Sequence, residues 1–247
     1  MKTIAILNHK GGTGKTTSTL NIGAGLAKRG KKVLLVDIDP QANLTEGLGI
    51  RDTETSIYDS IRDSKKLPII QIGEKLDLVP SSIDLLGAEL EIVSKIGREK
   101  IISKLLKPLK AEYDYIILDC PPALGLLTVN AIVASDTILL PLEAEYFAYK
   151  GIDRLIGIVG QVQEHFNENL TIGGVFVTKW NNQRTLTQTI INSITEYFGP
   201  KVFDAKIRVN VSLSEAQLQG QSVFEYAPDS NGAKDYDNLV NEILNKI

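Results

Sequence analysis

Residues 10–17, Lys10-Gly11-Gly12-Thr13-Gly14-Lys15-Thr16-Thr17, place three glycines and two lysines within eight positions. The chemistry that suits this spacing is the cradling of a polyphosphate. Glycines allow the backbone to curl so that successive N–H groups point inward at phosphate oxygens. A helix opening directly afterwards adds unpaired N–H donors and the positive end of its dipole. Lys15 can reach the outer phosphates, and the Thr16 hydroxyl can ligate Mg2+. The common phosphate loop asks for a glycine five residues before Gly14, where this chain has His9. It carries instead an additional lysine, Lys10, just before the glycine pair.

Two acidic segments complete this chemistry. Asp37 and Asp39, in Val36-Asp37-Ile38-Asp39-Pro40, lie two residues apart at the end of an apolar run. On a strand that spacing points both carboxylates to one face, toward a metal ion and an attacking water. Asp119 ends the run Ile116-Ile117-Leu118 in the manner of an acid that holds Mg2+ through water. The bland readings are a turn beside Pro40 for the first pair and a small buried apolar residue for Cys120.

The elements that must position these groups alternate along the chain. Apolar, β-branched runs at 3–7, 33–36, 115–118, 137–140 (stopping at Pro141) and 172–178 predict strands buried on both faces. Helical patterns cover 15–29 with Gly30 as the stop, 83–106 as one long or two shorter helices, 151–166, 185–198 and 233–247. Such alternation predicts an α/β fold: a single domain over 1–247, doubly wound, with a mostly parallel sheet and helices on both faces. Ligands then sit outside the carboxyl ends of the strands.

Composition narrows the function classes. A formal charge of −3 argues against a dedicated basic nucleic-acid binder, although a local basic patch is compatible with it. One cysteine excludes an internal disulfide, and His9 and His165 cannot build a zinc site. No apolar run is long enough to span a bilayer, and the N-terminus leads straight into the motif, so the expected location is cytoplasmic.

With Lys10 and the two acidic segments in place, the chain resembles the ParA/MinD branch of P-loop ATPases, and within it the Soj-type partition ATPases. The resemblance runs over nearly the whole length. It implies ATP and Mg2+ as cofactors, with Lys10, Gly11, Gly12, Thr13, Gly14, Lys15, Thr16 and Thr17 on the phosphates. It implies that Lys10 reaches the nucleotide of a partner subunit, so that a homodimer sandwiches two ATP molecules. By the same match Asp39 orients the water, Asp37 supports the metal site, and Asn210 lies near the base or ribose. Residues 124–130 and 143–147 resemble segments near the dimer face. A ParB-like partner protein would stimulate slow hydrolysis, and the ATP dimer would bind duplex DNA without sequence preference, on the nucleoid.

The DNA contacts depart from the pattern. Arg184 matches a family arginine, but Ser212, Asp229 and Asn231 stand where other basic residues are expected, and Arg208 is displaced by one position. Lys179, Lys201, Lys206 and Arg208 are the cations left to compensate. The last helix lacks the Lys/Arg-rich polar face of a lipid-targeting helix, so no membrane contact is expected. Two other functions compete: a positioning ATPase acting on a protein scaffold or membrane, and a metabolic ligase of the dethiobiotin-synthetase type. The extra lysine weighs against the latter, since a reaction confined to one subunit has no use for it.

Overall fold

The computed structural model describes residues 1–143, 152–181 and 185–247, with the side chains of 185–187 left aside. The strands are β1 (Lys2–Ile6), β2 (Val33–Asp37), β3 (Ile70–Gln71), β4 (Leu76–Val79), β5 (Tyr115–Asp119), β6 (Thr137–Glu143), β7 (Thr171–Trp180) and β8 (Val202–Arg208). The helices are α1 (Lys15–Lys28), α2 (Asn43–Gly47), α3 (Ile57–Asp63), α4 (Leu85–Ile92), α5 (Ile101–Leu106), α6 (Leu126–Ala134), α7 (Ile152–His165), α8 (Thr185–Phe198), α9 (Val211–Leu218), α10 (Val223–Tyr226) and α11 (Asn231–Lys246).

The strands form one sheet in the order β3-β4-β2-β5-β1-β6-β7-β8, parallel except for the β3–β4 pair. Alternating residues of the central strands feed two cores. Ala5, Leu34, Val36, Ile116 and Leu118 face the layer of α3 to α8. Ile4, Ile6, Val33, Leu35 and Ile117 face the layer of α1, α2 and α9 to α11. The expected doubly wound α/β architecture is therefore present, and the order reverses at β1, where the glycine-rich loop leaves the sheet.

Local sequence sets the element ends. Gly30, at φ 82°, closes α1: its N–H donates to Ala27 O at 2.8 Å and the Lys31 N–H donates to Leu26 O at 3.2 Å. Those two bonds are the double closure that a left-handed glycine permits. Ser56 and Asp59 form a reciprocal cap on α3, with Ser56 Oγ accepting from Tyr58 N and Asp59 Oδ2 accepting from Ser56 N. On α11, Tyr236, Leu239, Val240 and Ile243 are all within 1% of full burial, so its apolar face is docked on the core. Among the described residues no helix is long and apolar enough to cross a membrane.

Two details differ from the sequence reading, and of its two alternatives for 83–106 the pair of shorter helices is the one realised. The strand expected to stop before Pro141 continues to Glu143. Pro141 lies past the last β1–β6 pair, Ile6 with Leu139, where among the described residues β7 is the one strand neighbour of β6, and proline is tolerated on such an edge. The 83–106 pattern divides into α4 and α5 around Gly97, whose φ of 70° no continuous helix accepts. Strands β3, β4 and β8 and helices α2, α3, α6, α9 and α10 were not expected. The β3 strand has two residues, and β8 is an edge strand whose alternation includes Asp204, Lys206 and Arg208.

Candidate nucleotide site

The loop between β1 and α1 stands at the carboxyl edge of the sheet, flanked by the ends of β2, β5, β6 and β7. Gly12 and Gly14 have φ of 75° and 83°, conformations that side chains rarely adopt. The loop is fixed from outside. Asn8 Oδ1 accepts from the Lys10 N–H at 3.0 Å while Asn8 Nδ2 donates to Pro141 O at 2.7 Å. The Thr178 hydroxyl donates to Thr13 O at 2.9 Å, and Thr13 is buried. Backbone N–H groups can serve a ligand there because the Asn8 side chain just beyond β1, the Pro141 carbonyl of β6 and the Thr178 hydroxyl of β7 hold the turn in place.

Lys15 lies across the loop and is only 6% exposed. Its Nζ donates to Lys10 O at 3.2 Å. Burial lowers its pKa, and the charges of Asp119, Cys120 and Asp39 oppose that shift. A buried ammonium beside carboxylates gains most when an anion joins it. Thr16 lines the cavity beside Lys15, and Thr17 donates to Gln217 Oε1 of α9 at 3.2 Å.

Asp37 and Asp119 occupy paired positions on β2 and β5 and are fully buried. Burial first, and then the charge of Asp37, push Asp119 well above the ordinary carboxylate range, with the Thr16 hydroxyl and Lys15 offsetting part of the shift. Burial likewise raises Asp37, to about 7. Their surroundings differ. Asp37 Oδ2 accepts from the Thr45 N–H and hydroxyl at 2.9 and 2.7 Å, and Oδ1 accepts from the Asp39 N–H. Asp37 thus ties α2 to the sheet. Asp119 Oδ1 accepts from Thr19 at 3.3 Å, whereas Oδ2 is buried without a hydrogen-bond partner. An orphaned, raised carboxylate beside a threonine hydroxyl fits a hydrated Mg2+, which keeps several waters and takes one or two protein oxygens. The fit is to that mode only, because among the described residues no three acidic, histidine or cysteine side chains converge as a ligand cage.

Asp39 is 7% exposed, and its Oδ1 accepts from the Gln41 N–H at 3.0 Å. Its own carbonyl accepts from the Ser81 hydroxyl at 2.7 Å. It faces a cavity of about 930 Å3 together with Gly11, Gly12, Gly14, Lys15, Thr16, Thr17, Pro122, Lys179 and Gln217. Such a volume accommodates a nucleotide. Lys10 is not among the residues lining it; its Nζ lies 3.1 Å from Glu143 Oε2.

Other expected residues lie apart from this cavity. Asn210 caps α9, its Oδ1 accepting from the Ser212 N–H at 2.8 Å, and does not line the cavity. Arg208 makes a two-pronged ion pair with Asp235, with Nη2 at 2.6 Å and Nε at 3.0 Å. The Lys206 ammonium lies 5.5 Å from the Trp180 ring centre. Arg184 lies outside the described residues, as do residues 144–147 of the expected dimer face. Cys120 is buried with its thiol pushed up by burial, as a small core residue would be. Sequence reasoning missed Thr45, Ser81 and Gln217. None belongs to a motif, and α9, which carries Gln217, was itself unseen. Lys179 and Glu143, expected as a compensating cation and in a dimer-face segment, both stand beside the phosphate loop.

Comparison with known proteins converges on one family. A family profile described as an AAA domain matches residues 1–172. The sporulation initiation inhibitor protein Soj of Bacillus subtilis is 46% identical over 247 residues, covering 98% of each chain. The chromosome-partitioning ATPase Soj of Treponema pallidum is 42% identical over 246 residues, covering 98% of this chain and 97% of that one. Among solved structures, cobyrinic acid a,c-diamide synthase from Mycobacterium smegmatis with bound ADP and magnesium superposes with a TM-score of 0.87 at 29% identity, over 99% of this chain and 94% of the other. An aspartate-to-alanine variant of Cyanothece McdA in complex with ATP gives 0.88 at 27% identity, over 100% and 97%. With its glycine-rich loop, its extra lysine and Soj relatives alike along their whole length, the chain belongs to the ParA/MinD-type P-loop ATPases.

Proposed function

We propose that the chain is a switch ATPase of DNA partition. Two subunits join around two Mg-ATP molecules, the dimer binds duplex DNA without sequence preference, and a ParB-like partner protein accelerates hydrolysis and release. Residues Gly11 to Thr17 hold the phosphates. Thr16 would ligate Mg2+ through its hydroxyl and Asp119 would hold it through water, with Asp37 supporting that site. Asp39 orients the attacking water from the cavity wall. Bound Mg2+ draws charge from the leaving phosphate oxygens, and the chain's own part is to fix Lys15 and the loop N–H groups around them.

One observation carries this reading. Lys10 belongs to the phosphate motif, yet its ammonium is turned away from its own cavity toward Glu143. Lys15 serves the phosphates in the same subunit, and the task assigned to Lys10 is a nucleotide bound across a dimer face. The Soj relatives support the partition assignment.

A second reading, a positioning switch on a protein scaffold, is favoured by the engagement of Arg208 and Lys206 with Asp235 and Trp180. A metabolic ligase shares the fold, as the diamide synthase shows, but gives no task to Lys10.

The test is light scattering on the Asp39→Ala variant with ATP, ADP and no nucleotide. A dimer in ATP alone, together with wild-type turnover on the order of 10⁻⁴ s⁻¹ as for unassisted P-loop hydrolysis, supports the switch. A monomer in ATP, or normal turnover in the variant, contradicts it.

A further inference from the structure

Glu143 ends β6 at the mouth of the phosphate loop, opposite Thr178 in the β6–β7 register. Its two carboxylate oxygens face different lysines. Oε2 is 3.1 Å from Lys10 Nζ, and Oε1 is 3.4 Å from Lys179 Nζ. The glutamate side chain is 14% exposed, against 38% for Lys10 and 49% for Lys179. Lys179 has a φ of 50°, in the left-handed region that non-glycine residues seldom occupy. That backbone turn carries its ammonium over the loop, 3.8 Å from where a Cβ on Gly12 would stand.

A carboxylate with little access to water needs a cation beside it, and removing the last one is costly. With two cations in place, one can leave while the charge stays compensated. We propose that Glu143 holds Lys10 within its own subunit before dimerisation, and that Lys179 is the counter-charge left on Glu143 when Lys10 swings to the partner's nucleotide. The inference rests on the dimeric switch proposed above and names its restraint. Glu143 and Lys179 are positioning residues, since both act through Lys10. Glu143 opposes dimerisation by competing for Lys10. Lys179 favours it by making the carboxylate's loss of Lys10 tolerable.

Opposite signs follow from two adjacent substitutions. Glu143→Gln weakens the hold on Lys10 and tightens the ATP-state dimer. Lys179→Ala leaves the half-buried carboxylate dependent on Lys10 and loosens it. The expected size is roughly 3- to 5-fold each way, the factor a partly exposed ion pair supplies. Glu143→Asp keeps the charge and stays near wild type. In a Lys10→Ala background, Glu143→Gln changes nothing further.

The experiment is sedimentation equilibrium of wild type and these variants with AMPPNP and Mg2+, alongside thermal melts. Tightening by Glu143→Gln, loosening by Lys179→Ala and silence of Glu143→Gln without Lys10 support the inference, because packing damage would shift both variants the same way. A wild type that dimerises while Glu143→Gln leaves its dimer constant unchanged, or both variants shifting it in one direction, overturns the inference alone. A wild type that stays monomeric overturns the switch itself, and the inference with it.

Discussion

Two regions of this molecule carry concentrated charge, and they carry it differently. At the carboxyl ends of β1, β2 and β5, the charged groups Lys15, Asp37, Asp39 and Asp119 are all within 7% of full burial. At the β8 edge the cations lie on the surface and engage neighbours: Arg208 with Asp235, Lys206 with Trp180. Burying charge is costly, so a buried cluster with an orphaned Asp119 oxygen persists for a ligand that completes it. Surface cations cost little and carry no such message. The first region is therefore readable as a site from its own geometry. The second needs a partner to reveal one.

The largest effect that separates the regions is at Lys15. Lys15→Ala should lower ATP affinity on the order of 100-fold or more, about 2.7 kcal/mol, read by isothermal titration. Undiminished affinity would remove the distinction between the buried cluster and the surface cations.

Asp119→Asn comes next. It should keep nucleotide binding but lose roughly tenfold of the enhancement that Mg2+ gives, measured by repeating the titration with and without the metal. The same substitution should flatten the pH dependence of the nucleotide-free protein. Asp119 is held well above the ordinary carboxylate range in the fold, by burial and then by the charge of Asp37, so between that range and its raised value the folded state binds more protons than the unfolded. Stability falls as pH rises through that window. Removing the like charge at Asp119 should raise the melting temperature at pH 8 by a few degrees, at about 2–4 °C per kcal/mol for a chain of this size. A lower melting temperature would mean that the pair is not repulsive.

Asp235→Asn sharpens the other side. It retains an acceptor for the Arg208 N–H, which Asp235 Oδ2 now takes at 2.9 Å, but releases the guanidinium. If the ion pair is what silences Arg208, the DNA affinity of the ATP dimer should become steeper in salt by about 0.9 per phosphate gained, in a logarithmic plot. An unchanged slope would show that Arg208 faces no DNA. The smallest effect is expected at Gln217→Ala, which removes one hydrogen bond to Thr17 and should cost about 1 kcal/mol of nucleotide affinity in the same titration.

Much of the fold was legible because the central strands are apolar on both faces and each ends in a chemically distinct residue. The loop after β1 and the acids Asp37 and Asp119 are readable from single segments. The rest was hidden by length and by edges. A two-residue β3 and the alternating, half-polar β8 give no apolar run, and α9 lies in a stretch that reads as loop around Asn210. Asn210 carries a local task that the motif match did not name: its side chain caps α9. Thr45 and Glu143 carry such tasks as well. Their partners, Asp37 and Lys10, are fixed by chain folding, and no spacing in the sequence announces the pairing.

In the proposed switch, ATP turns an acidic monomer into a DNA-binding dimer. Dimerisation would double whatever cationic surface each subunit offers to phosphate. The direct measurement is fluorescence anisotropy of a labelled duplex at low salt, with ATP, ADP and no nucleotide, on wild type, Lys10→Ala and Arg184→Glu. Binding is expected in ATP alone, without sequence preference, and lost in both variants while Arg184→Glu still dimerises. Absence of binding by an ATP-loaded dimer at low salt would contradict it and leave the scaffold-positioning switch as the function of this chain.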